Sequence, residues 1–295
     1  MTEAMEQVHG TYVQALACAP VDEDTRRAYA SRVRQYLAWL SKATVEGDPM
    51  GDRTARDWAV RDYRSFLQTV SKRTPSTVNT VLAALNDFYA RLGLGPADTR
   101  RLEMAQAAPR ALEKKESIRW LRAVEGCPRS RDRALALLPF YGGLRIGEAV
   151  ALDVDDVRQS ARRALLVVRA GKGDRYREVP LHPDLQAALN SWLKMRRDWP
   201  GAEAPALFLN RRGGRLSARG ARDVFTRLGE AAGLDDEFSP HVLRHTFATT
   251  LTRAGSDIVL VADLLGHARL DTTRRYSLAS AADRAAALEH LTVDR

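Results

Sequence analysis

Cysteine is nearly absent: Cys18 and Cys127 stand far apart and outside any CxxC pattern, so neither a disulfide framework nor a zinc site is expected. No apolar run approaches the roughly 20 residues that cross a bilayer. The opening MTEAMEQVHG is mildly acidic and holds no apolar segment of the signal-peptide type, so a cytoplasmic location away from membranes is expected. A GxxxxGK[ST] phosphate loop is missing, and no cluster of carboxylates suggests paired magnesium ions. Neither a metal nor a cofactor is expected.

What is there has the balance of a soluble globular protein. The 295 residues are 45% hydrophobic and 28% charged, enough for two domains with a core each. The net charge of +9 is unevenly placed, since residues 1–108 hold 14 Lys and Arg against 13 Asp and Glu, and the remainder 32 against 24. A basic surplus favours a polyanionic partner, because each cation that meets a phosphate releases condensed counterions. Of the 46 basic residues 40 are Arg in an Ala-rich chain, a bias that genomic base composition also produces.

From Thr25 to Leu40 the side chains of Tyr29, Val33, Tyr36, Leu37 and Leu40 share one helical face. A second helix runs from about Thr54 to Thr69 with Trp58, Tyr63, Phe66 and Leu67 inward. A third, with Ser76 as N-cap, carries Val78, Val81, Leu82, Leu85, Phe88, Tyr89 and Leu92 and ends at Gly93. These form a helical bundle over residues 1–108. Around Pro109 the segment AQAAPRALEKKE loses periodicity and gathers charge, so 109–116 reads as a linker. Residues 117–295 form a second domain, with helices near 116–125, 130–141, 183–198, 217–232, 240–254 and 257–265 and from 271 onward. The β-type runs ALLVVRA and YREVPL are joined by the turn GKGDR. The expected fold class is mainly α, with a small antiparallel sheet in a mixed α/β second domain.

Six side chains of that domain suit phosphodiester chemistry, which without a metal needs fixed positive charge, a proton donor and an attacking oxygen. In SPHVLRHTFATTLTRAG, Ser239 suits an N-cap and Pro240 the first helical position. His241 and Arg244 then share a face of the opening turns, where the helix dipole favours an anion. Arg145 precedes Glu148 by three positions, so the two form a plain salt bridge or Glu148 orients a phosphate-binding guanidinium. Lys172, between Gly171 and Gly173, is a solvated hairpin tip or a general acid on a flexible stem. His267 follows the helix stop LLG and either caps carbonyls or bonds a phosphate. Tyr276, in LDTTRRYSLAS, either packs or acts as a nucleophile activated by nearby cations or by His241. One at a time, most favour the plainer reading.

Together the strings GGLRIGE, GKGDRYREVPL, HVLRH and LLGHARLDTTRRY resemble the tyrosine recombinases, or phage-type integrases, over most of the second domain. The preceding bundle looks like that family's SAM-like core-binding domain, and the second domain like its catalytic domain. The resemblance implies a site-specific DNA recombinase. Tyr276 would form a 3′-phosphotyrosyl bond and free a 5′-hydroxyl. Arg145 and Arg244 would hold the scissile phosphate, with His267 as a further donor; Lys172 would protonate the leaving oxygen, His241 would assist proton transfer at the tyrosine, and Glu148 would orient the first arginine motif. Because the phosphotyrosyl ester stores the energy of the broken bond, rejoining needs no nucleotide. Gly147 departs from the small polar residue often found in this motif.

For DNA contact the resemblance nominates the helix with Ser76, Thr77 and Asn79 and the one with Arg219 and Arg222 for the major groove. Arg73, Arg175, Arg211, Arg212 and Arg215 are nominated for phosphates. Each arginine has the alternative of being an exposed salt-bridge partner. A chain that begins with the core-binding bundle leaves no room for an arm-binding domain, which favours a recombinase of the Xer type or of a transposon or plasmid. The implied partners are double-stranded recombination sites and like or related protomers in a synaptic tetramer that passes through a Holliday junction. The segment after Tyr276 would dock on a neighbour, and an accessory protein could act as trigger. Two alternatives stand beside this reading: a type IB topoisomerase-like nickase, and a non-catalytic DNA-binding protein of the same fold.

Overall fold

The computed structural model describes residues 1–103, 110–159, 164–169 and 176–266. The chain divides into two compact units, Met1–Gln106 and Ala107–Arg295.

The first unit is a bundle of α1 (Glu3–Ala17), α2 (Glu23–Leu40), α3 (Arg53–Thr69) and α4 (Pro75–Arg91). Asp22 and Asp52 cap α2 and α3, accepting from the Thr25 and Ala55 amides at 2.8 and 2.7 Å. The α4 cap is Thr74 and not Ser76, because Pro75 fits the first helical position and Thr74 then faces the Thr77 amide. Val33, Tyr36, Leu37, Tyr63, Val78, Leu85, Phe88 and Tyr89 make the core. The buried Tyr36 and Tyr89 hydroxyls bond each other at 2.6 Å, so neither is left unpaired.

Further features differ from the expectation. Helix α1 was not anticipated, although Met5, Val8, Tyr12 and Leu16 recur at helical spacing; Tyr12 is buried and its hydroxyl donates to Asp87 at 2.8 Å. Trp58 is 57% exposed, with Arg61 over its ring. The buried face of α3 is set by Arg56, Ala59, Val60, Tyr63 and Leu67, and position 58 lies on its back.

The second unit contains α5 (Lys114–Glu125), α6 (Ser130–Gly142), α7 (Ile146–Ala151), α8 (Pro183–Arg196), α9 (Ala218–Ala231), α10 (Pro240–Arg253) and α11 (Ile258–Leu265). Part of the expected linker is built into this unit: α5 starts at Lys114, and buried Leu112 donates its amide to Thr246 Oγ1 at 2.8 Å. Helix α6 runs through the middle, apolar over Ala134–Leu138, and packs on α8 and α10. The sheet has three antiparallel strands in the order β1 (Val157–Gln159), β2 (Ala164–Val168), β3 (Arg177–Pro180). Strand β1, three residues long and half open to solvent, carries too little pattern to be foreseen. In β3 Arg177 and Val179 are buried while Glu178 and Pro180 are exposed, the alternation that a half-buried strand imposes. Among the described residues no helix is long and apolar enough to cross a membrane.

Candidate active site

Glu148 is the hub of the site. Arg145, the residue before α7, donates its amide to Glu148 Oε2 at 2.8 Å and its guanidinium to Oε1 at 2.7 Å. Arg177 grips the same carboxylate with two nitrogens at 2.7 and 3.3 Å. Arg244 lies 3.7 Å from it. Burial pushes the Glu148 pKa up, but the bond and charge of Arg177, the Arg145 amide and the charge of Arg244 outweigh it, and the net shift is downward. The carboxylate stays ionised among three guanidinium groups.

Two of those guanidinium groups also hold backbone. Arg244, only 3% exposed, donates to the carbonyls of Gly143 at 2.5 Å and Leu265 at 2.7 Å. Arg177 Nε donates to the Leu264 carbonyl at 2.9 Å. These oxygens end α6 and α11, where a helix leaves acceptors unfilled. Both ends turn through a left-handed glycine, Gly143 at φ +64° and Gly266 at φ +67°. A Cβ would come within 2.7 Å of the Phe247 ring at Gly143 and of the Arg177 guanidinium at Gly266. Glycine is required at both.

His241, in the first turn of α10, is exposed, yet partial desolvation of its ring lowers its pKa. The positive charges of Arg244, Arg145 and Arg222 push the same way. It therefore stays neutral at neutral pH and can accept a proton. Ser239 occupies the N-cap position as expected, but its side chain makes no capping bond; its carbonyl takes the Val242 amide at 2.9 Å in a tightened first turn. The His245 ring lies one turn on, 6.4 Å from that of His241.

The structure thus brings Arg145, Glu148, His241 and Arg244 together from two distant stretches of sequence. Lys172, Arg175, His267 and Tyr276, and the helix expected from 271 onward, lie outside the described residues. Three guanidinium groups and one carboxylate carry a net charge of +2 around a base. A phosphodiester is a monoanion whose transition state for attack gains a second charge, so such a cluster favours the transition state over the ground state. Arg177 was missed by sequence reasoning, although its phase with Val179 was a signal: an arginine on the inward face of a strand needs partners there.

The nominated DNA contacts fall into two groups. Arg73, Ser76, Arg211, Arg212, Arg219 and Arg222 are exposed. Thr77, Asn79 and Arg215 are engaged in the fold. Thr77 meets the Thr74 cap through its amide and its hydroxyl, the latter at 3.0 Å. The Asn79 amide exchanges two bonds with the Leu102 backbone, at 2.9 and 2.8 Å. Arg215 donates to the carbonyls of Val150, Ala151 and Leu152 at 2.9 to 3.1 Å and to Asp153 at 2.6 Å, closing the end of α7.

Residues 110–282 match the phage integrase family. Over 276 residues, 86% of either chain, the sequence is 42% identical to tyrosine recombinase XerD of Mycobacterium leprae. It is 35% identical to tyrosine recombinase XerC of Mycobacterium sp. (strain JLS) over 92% of this chain and 94% of that one. Among solved structures, the XerH site-specific recombinase bound to difH substrate superposes with a TM-score of 0.70 at 23% identity, covering 90% of this chain and 80% of that one, a likeness of fold. With the motif residues it carries, the chain belongs to the phage integrase family, the tyrosine recombinases.

Proposed function

We propose that the chain is a site-specific DNA recombinase that breaks and rejoins duplex DNA by transesterification at Tyr276. The observation that carries this reading is the cationic cluster of Arg145, Glu148 and Arg244 beside a neutral His241. In the proposed reaction the Tyr276 oxygen bonds the scissile phosphorus as its proton passes to His241. The bond from phosphorus to the 5′ oxygen breaks, and Lys172 protonates that oxygen. Arg145 and Arg244 neutralise the charge on the phosphate, and His267 adds a hydrogen bond. Attack by a 5′-hydroxyl of the partner duplex on the phosphotyrosyl ester reverses these steps, so no metal or nucleotide is consumed. Like or related protomers form the tetramer that pairs two sites, in the cytoplasm, with Arg73, Arg211 and Arg212 on the DNA backbone and the helix of Arg219 and Arg222 toward the major groove.

The sequence relationship to proteins named XerD and XerC supports recombination over simple nicking. Sites selected by the protein from random duplexes, then nicked near their centre, should trap a denaturation-resistant adduct at a 3′ phosphate. Tyr276→Phe should keep DNA binding and lose the adduct. No adduct with the unaltered protein on any selected site would overturn the proposal, and exchange between two labelled duplexes separates a recombinase from a nickase.

A further inference from the structure

Arg177 belongs to none of the roles assigned so far, yet three parts of the proposed site meet at it. Its two terminal nitrogens hold both oxygens of Glu148, the carboxylate that fixes the Arg145 guanidinium. Its Nε holds the Leu264 carbonyl, three residues before His267. It also pairs with Val168 at the end of the β2–β3 ladder, at the root of the connection that contains Lys172. Its side chain is 6% exposed. A planar guanidinium can serve two such partners at once because its donors point in fixed, diverging directions. A lysine there would supply one point charge and could not hold both.

We propose that Arg177 is a positioning residue for strand cleavage, locking the arginine motif, the end of α11 and the end of the β2–β3 ladder into one frame. The inference rests on the recombinase reading, because its effect is exerted through Arg145, Lys172 and His267. Arg177 itself need not touch DNA. Its loss should loosen several reacting groups together, and a misplacement of about 1 Å costs on the order of 10²-fold in rate.

Arg177→Ala and Arg177→Lys are compared with the unaltered protein in single-turnover cleavage of the nicked, selected duplex. Three scissile linkages are used: the natural phosphodiester, a neutral methylphosphonate, and one with sulfur in place of the leaving 5′ oxygen. The methylphosphonate relaxes the demand on Arg145 and Arg244, and the sulfur leaving group relaxes the demand on Lys172. Both variants should cleave the natural linkage about 10²-fold more slowly at unchanged DNA affinity, with a defect at least about tenfold smaller on one of the altered linkages. A defect of equal size on all three, or none, would overturn the proposal, since a general loss of folded protein slows every linkage alike. If Arg177→Ala does not fold, Arg177→Lys, which keeps the charge and the stem, decides by the same ratios. Absence of an adduct with the unaltered protein would instead strike the recombinase reading.

Discussion

Asp132 on α6 and Glu148 on α7 are both buried carboxylates that gather three arginines, and only one of them belongs to the candidate site. Asp132 takes two bonds from Arg131 at 2.7 and 2.9 Å and one from Arg227 at 3.0 Å, with Arg129 at 3.6 Å. Two of those arginines, Arg129 and Arg227, are 45% and 52% exposed, while Arg131 reaches the Leu209 carbonyl and packs over Trp199. The cluster joins α6 to α9 and to the loop at Leu209, and ends there. Around Glu148 the two buried arginines hold the carbonyls that end α6 and α11, and the third, Arg145, is 33% exposed beside His241. An ion cluster is therefore not a site by composition. It becomes one through what its cations hold, here the carbonyls that end two helices, and through the base His241 that they surround.

The largest contrast is between Arg145→Ala and Asp132→Asn. In the proposed reaction Arg145 is a partly exposed cation beside the developing charge, so its loss should slow cleavage about 10²- to 10³-fold. Because Arg145 is partly exposed, thermal stability should change little. Asp132→Asn leaves Arg131 buried without its counter-charge, and should cost about 3 kcal/mol, the low end of the range for a broken buried pair because its other partners reach solvent. Cleavage per folded molecule should be unchanged. If Asp132→Asn slows cleavage as much as Arg145→Ala at a temperature where both are folded, the two clusters do not differ in kind.

Acid should separate them next. The Glu148 pKa is lowered in the folded protein, so the stability this group contributes is fully present above the ordinary carboxylate value and is lost as the pH falls through the folded value. The difference in Tm between the protein and Glu148→Gln should stay constant from neutral pH down to the ordinary carboxylate range and shrink below it. His241 is also lowered, so the unfolded chain takes up that proton first and stability declines as the pH drops below the ordinary histidine value. Cleavage should persist below that value and fall only as the pH passes the lowered one. A cleavage profile that falls at the ordinary histidine value would contradict the electrostatics of the site.

The sequence carried the site motifs more openly than the geometry that joins them. Helices α2 to α6 and α8 to α11 follow from periodicity and end signals, because apolar stripes and residues such as Gly93 and Pro240 act locally. Arg145 and Glu148 were legible as a pair for the same reason, being three residues apart. Arg177 was not, since its partners Glu148 and Leu264 lie 29 and 87 residues away and only tertiary structure supplies them. Asn79 and Arg215, nominated for DNA, show the opposite case, since what they hold within the fold is not visible in the sequence. Polar side chains in exposed stretches resemble ligand contacts until Leu102 and the end of α7 are seen to claim them.

The smallest effect tests that last distinction. Arg215 and Arg211 are both exposed cations four residues apart, but Arg215 is bound to three carbonyls and a carboxylate while Arg211 lies in a surface turn. Arg215→Ala should cost stability, about 1 kcal/mol for charged bonds at a helix end, and leave the salt dependence of DNA binding unaltered. Arg211→Ala should do the reverse. Its stability change should stay within about 0.5 kcal/mol, and the slope of log affinity against log salt should flatten by about 1, the amount for one phosphate contact. Equal slopes for the two variants would mean that a guanidinium committed to backbone carbonyls can still meet a phosphate, and that the division between bracing and binding arginines fails at the surface.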